Sequence, residues 1–202
     1  VAYLPMNELV HADGSLDGRQ AGDISGQFNT AQLEGAAFEA GTIPGASGHA
    51  VFVDAGGRVV IPASETTRAP DRGLAVSLFV RPMAADVSGS LVHWPGVADI
   101  DLAADGTVEF VVHTGGEERR ANATLRLEQD AWTHVGLAYD GVAGILRIYA
   151  DGERISEDRF GRGLPSGGGE IVLGEATASA GGTVLGLDEV AISRVVRFDE
   201  EV

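Results

Sequence analysis

The chain has 202 residues, 44% of them hydrophobic, which supports a sizeable core and argues against global disorder. Its formal net charge is −16, from 30 acidic against 14 basic residues, and every basic residue is Arg. Such a surface repels nucleic acid and anionic membrane, the lack of Cys excludes disulfides and thiolate chemistry, and no apolar run reaches the length of a membrane-spanning helix.

In chain order, "VAYLPMNELV" can form a strand, and "HADGSLDGRQAGDISGQFNTAQLEG" reads as a long structured loop dense in Asp, Gly, Ser and Asn. "HAVFVDAGGRVVIPA" (49–63) reads as two β-rich runs around an Asp-Ala-Gly-Gly turn. "RGLAVSLFVRP" (72–82) sets Val76, Leu78 and Val80 on one side and Ala75, Ser77 and Phe79 on the other, and Pro82 ends it. In 89–114, "AADGT" is a hairpin turn between "DIDLA" and "TVEFVVH". "RRANATLRL" (119–127) suits an exposed strand, and further strands fall near 132–139 and 145–150. "GEIVLGEA" (169–176) and "TVLGLDEVAISRVVRF" (183–198) complete the set, and "FDEEV" can start a short helix capped by Asp199. About 11 to 13 short strands, spaced by turn signals, predict an all-β antiparallel sandwich. No composition shift divides the chain, so residues 1–202 read as one domain. A start at Val1 without a leader reads as a domain cut from a longer multidomain polypeptide.

"WTHVGLAYDGVAGILRIYADGERI" resembles the signature of laminin-G-like jelly rolls in the concanavalin A-like lectin/glucanase superfamily. "AYLPMNE", "GDISGQFNTAQLEG", "GHAVFVDAGGRVVIP" and "LGLDEVAISRVVRFDEEV" are similar to four other segments of that family, in the same order. The resemblance implies two stacked antiparallel sheets of about six strands each. It also implies a structural Ca²⁺ at the sheet edge, with Asp188 as the leading side-chain ligand and Glu8 and Asp23 as further candidates. The other reading is that Asp23 caps its own turn and that Asp188 and Glu189 pair with Arg.

Hydrolase chemistry would need paired carboxylates on one strand face. "ADIDLAADG" offers Asp99 and Asp101, but the third acid of the family's pattern falls at Ala103. A lyase would want a His/Tyr pair with Arg or Gln on a concave face, and no arrangement of His93, His113, His134, Tyr139 and Tyr149 compels one. His134 reads as a packing residue. A sugar site needs an aromatic face and polar groups to orient hydroxyls. Trp132 belongs to the core motif. Trp94, beside a Pro-Gly turn, is the available platform, with His93, His113, Arg119 and Arg120 on neighbouring strands; the alternative is that Trp94 plugs the end of the sandwich. The resulting expectation is a non-catalytic extracellular or cell-surface module, stabilised by calcium, that binds a glycan or cell-surface polysaccharide beside neighbouring domains of its polypeptide. It would bind no nucleic acid and insert into no membrane. A structural spacer and a polysaccharide-degrading enzyme are the alternatives.

Overall fold

A computed structural model describes residues 2–6, 19–41, 43–44 and 48–196. Alternating apolar and polar side chains write these residues into strands. In chain order they are β1 (Ala2–Leu4), β2 (Gln20–Ala21), β3 (Ala31–Ala40), β4 (His49–Ile61), β5 (Gly73–Pro82), β6 (Ser88–Trp94), β7 (Ala98–Leu102) and β8 (Thr107–Thr114). They continue with β9 (Glu117–Arg120), β10 (Leu125–Arg126), β11 (Thr133–Asp140), β12 (Ile145–Ala150), β13 (Glu153–Arg159), β14 (Ile171–Thr177) and β15 (Thr183–Ser193). Every pairing is antiparallel. The main ladder runs β10-β8-β7-β6-β14-β4-β15-β5-β11-β12-β13.

This ladder curls into the two layers of a jelly-roll sandwich. The turning point is β4. Its first half, through Asp54, pairs with β15, while Val59–Ile61 pair with β14. β3 follows it through both halves, with a register shift between Glu34 and Ala36. Gly35 takes a left-handed φ of +58°, and a Cβ on Gly57 would lie 2.1 Å from the Gly35 carbonyl oxygen. The two backbones can approach this closely only where neither carries a side chain. The Asp-Ala-Gly-Gly segment is therefore not the turn between two runs expected from the sequence. It is a bend within one continuous strand.

The layers meet face to face. Tyr139 of β11 donates to the Gly163 carbonyl at 2.9 Å and shares a 3.3 Å hydrogen bond with Thr114 of β8, across strands far apart in the ladder. Val135, Leu137 and Tyr139 of β11 join Ile100, Phe110 and Val112 in one core. Each such aliphatic side chain contributes about 1.5–3 kcal/mol by leaving water. In the β11–β12 hairpin, Asp140 Oδ1 accepts from the amides of Val142 and Ala143, both at 2.9 Å, which fixes the turn as expected. Ile148 lies in the core, and Tyr149 faces outward over Ala75 and Ala138.

Two expectations need correction. Trp132 is not a core residue: it is half-buried on the outer side, edge-on to Phe52 at 6.4 Å. It lies over Gly186, where a Cβ would come within 2.9 Å of its ring. Residues 119–127 form not one strand but β9 and β10. In the segment between them, the Asn122 amide donates to Asp158 of β13 at 2.8 Å, and the Ser156 hydroxyl donates to the Asn122 carbonyl at 3.3 Å. The helix expected from "FDEEV" lies outside the described residues.

Gly57→Ala drives a methyl into the Gly35 carbonyl. It is expected to lower unfolding free energy by about 1–3 kcal/mol in urea titrations, whereas Gly56→Ala, with open space at its Cβ, bears only the strain of its positive φ.

Candidate functional site

The outer face of the β6–β7–β8 layer carries most of the sequence-derived candidates. His93, Asp99, Val111 and Arg120 stand directly opposite one another across β6, β7, β8 and β9, so they share one face. Asp99 is gripped from two sides: Oδ1 lies 2.6 Å from His93 Nδ1 and Oδ2 lies 2.6 Å from His113 Nε2. A carboxylate only accepts, so each of these ring nitrogens carries the proton. Asp101, on the same face, has its carboxyl pushed up by burial first and by the charge of Asp99 in addition. Arg120 spends its guanidinium on Glu109 at 2.6 Å and Glu118 at 3.5 Å.

Trp94 and Arg119 do not join this group. Trp94 follows His93 on the same strand, so it points the opposite way, into the core. It is 0% exposed, and its Nε1 donates to the Thr67 carbonyl at 2.9 Å. It plugs the sandwich and offers no face to a sugar. Arg119 stands opposite the inward-facing Val112 and pairs with Glu117, so it leaves the face that Arg120 occupies.

The candidate calcium ligands in the described residues are held by backbone amides. Glu8 lies outside the described residues. Asp23 Oδ1 accepts from the amides of Tyr3 at 3.0 Å and Ser25 at 2.8 Å, and Oδ2 accepts from Asn29 at 2.8 Å. Burial pushes this carboxyl up, but the hydrogen bonds together outweigh it and hold it below the usual value. Asp188 is fully buried and accepts from the Glu189 amide at 2.9 Å and the Ile43 amide at 3.4 Å. Among the described residues, no three acidic or histidine side chains converge as a metal site would require.

The outer face of the other layer holds a hollow that the sequence reading does not single out. Tyr3, Ala191, Ser77, Gly136 and Tyr149 form one row across β1, β15, β5, β11 and β12. Ala, Ser and Gly make the middle of this row low. The result is a trough of about 390 Å³, walled by Tyr3, Phe79, His134 and Glu189 over Ser77 and Ser193. The Phe79 and His134 rings lie 5.1 Å apart, tilted by 56°. Glu189 reaches the trough because β15 shifts register between Asp188 and Ala191, and Glu189 itself adopts a left-handed φ of +48°. A bulge of this kind re-aims a side chain. Its Oε2 accepts from the Tyr3 hydroxyl. This bond to the carboxylate, with burial adding to it, pushes the Tyr3 phenol up to about 12. Burial holds the His134 imidazole below its usual value, against the opposing pull of Asp151. The only sequence hint of the trough is the run of small outward residues at Ser77, Gly136, Ala191 and Ser193.

A sequence profile described as the concanavalin A-like lectin/glucanases superfamily matches residues 54–202. No match is found among curated protein sequences. Among solved structures, the binding domain of paraclostridial mosquitocidal protein 1 aligns with a TM-score of 0.74 at 14% identity, covering 99% of this chain and 50% of that one. The binding domain of botulinum neurotoxin serotype G aligns at 0.73 and 8% identity, covering 98% and 48%. A botulinum neurotoxin type C structure, described with cell entry dependent on two ganglioside molecules, aligns at 0.68 and 11%, covering 99% and 49%. The chain thus spans about half the length of these structures, and at such identities the likeness is one of fold.

Because Asp23 already caps three amides, Asp23→Ala is expected to cost about 1–2 kcal/mol of stability, equally in calcium and in EDTA; a loss confined to calcium would make Asp23 a metal ligand. For His134, a folded-state pKa below the unfolded value near 6.5 means the unfolded chain binds the proton first. Its contribution is present in full above about pH 6.5 and is lost as pH falls below that value. His134→Gln is expected to flatten that part of a melting-temperature profile.

Proposed function

The chain belongs to the concanavalin A-like lectin/glucanases superfamily, and on that premise we propose that it is a non-catalytic carbohydrate-binding module whose ligand sits in the trough between β1, β15, β5 and β11. The observation that carries this reading is the trough itself. Aromatic walls at Tyr3, Phe79 and His134 offer faces to the C–H surfaces of a pyranose, and Ser77, Ser193 and Glu189 offer hydrogen bonds to its hydroxyls. The volume lies at the small end of ligand pockets, which suits one or two sugar rings.

The phenol of the trough is poorly suited to catalysis. Proton abstraction from a sugar calls for a base titrating near neutrality. The Tyr3 phenol, at about 12 and bonded to Glu189, is far from that. Asp99 and Asp101 stand on the other layer's outer face, away from the trough, and Asp99 is occupied by two imidazoles. The toxin-type neighbours, one of them described as interacting with gangliosides, support binding as the role of this fold.

Ser77 lies at the middle of the trough floor. Ser77→Arg is expected to weaken glycan-array binding by more than about tenfold, as overfilling a pocket does, while His93→Ala and Arg120→Ala leave it unchanged. A wild-type array without any signal would replace the binding reading with that of a structural spacer.

A further inference from the structure

The charge around the trough goes beyond the presence of a sugar site to its selectivity. Among the residues that line it, the one carboxylate is Glu189, and no Arg takes part. Asp188, fully buried, stands opposite Phe79 just behind the wall. Three guanidinium groups on the same face each stand near a carboxylate. Arg81, two residues along from Phe79, faces Asp130 at 3.6 Å. Arg147, opposite Ala138 on β12, is bonded to Glu157 at 3.1 Å. Arg154, opposite Tyr149, also reaches Glu157, at 3.3 Å. All three thus face a carboxylate, Arg147 and Arg154 sharing that of Glu157. Burial disfavours the charged form of the His134 imidazole and holds it below the usual value, against the pull of Asp151.

We propose that the trough selects neutral or amine-bearing saccharides and excludes uronates and sialylated chains. This rests on the reading of the trough as the carbohydrate site. An acidic sugar would bring its carboxylate beside Glu189 in a half-buried hollow where water screens it poorly and no cation compensates. A neutral sugar meets no such penalty. A sugar ammonium finds an acceptor in place, since the Tyr3 hydroxyl engages Oε2 of Glu189 and leaves Oε1 for a ligand. The net charge of −16 acts in the same direction at longer range, repelling polyanionic glycans before they dock.

The test is a glycan array carrying neutral, amine-bearing, uronate and sialylated oligosaccharides, probed at low and high salt with the wild-type chain, Glu189→Gln and Ser77→Arg. Signal is expected from neutral and amine-bearing glycans only. Glu189→Gln should weaken the amine-bearing set by about fivefold, the scale of one partly exposed ion pair, and change the neutral set by less than twofold. High salt should reproduce that weakening in the wild type, so the readout survives even if Glu189→Gln folds poorly. Acidic glycans that bind the wild type and are lost in Ser77→Arg would overturn the selectivity and leave the trough as the site. Acidic glycans that still bind Ser77→Arg, or an array with no signal, would overturn both.

Discussion

The constraint on which this structure depends is the approach of two backbones at Gly35 and Gly57. A sheet with so many strands cannot stay open and bury both its faces. Folding it over requires a sharp corner inside a continuous ladder. Here the corner falls in the β3–β4 pair, where a register shift and the two glycines let the strands bend without losing their partners on either side. Everything on the inner faces follows, including the hydrogen bond between Thr114 and Tyr139 that ties the closed layers together.

Once the sheet is folded, the outer faces are left for function, and the two differ. The β6–β7–β8 face is charged, with Asp99 bound by both His93 and His113 and Arg120 bound to Glu109 and Glu118. The β15–β5–β11 face is hollow, because small residues alternate there with the large side chains that point inward. A bulge in β15 then swings Glu189 over the hollow. Packing on one side of these strands thus fixes the shape of the other side.

Much of this was legible in the sequence. Alternation, turn glycines and the Trp-x-His hairpin identify the fold, and the family profile over residues 54–202 agrees with it. The candidate site was far less legible. The grouping of Trp94 with His93 overlooked that neighbours on a strand point to opposite faces, and the structure sends Trp94 to the core. Gly56-Gly57 reads as a turn because local sequence cannot distinguish a chain reversal from a bend within a strand. The trough draws on Tyr3, Ser77, His134 and Glu189, from four strands brought together only by the ladder order. Glu189 depends further on a bulge, which shifts the alternation by one and defeats a period-two reading.

The Asn122 crossing, where one rim of the ladder reaches over to Asp158 and Ser156 on the other, has a consequence for life in a crowd. An open sheet exposes unpaired amides and carbonyls at both rims, an invitation to add strands from another molecule. Here one rim is split into two short pieces, β9 and β10, and the other, β13, reads Glu-Arg-Ile-Ser-Glu-Asp-Arg. The short strands offer little length to template, the charges discourage stacking, and the segment between the pieces spans the gap from rim to rim. These two ends of the ladder therefore offer a neighbouring copy little backbone to pair with.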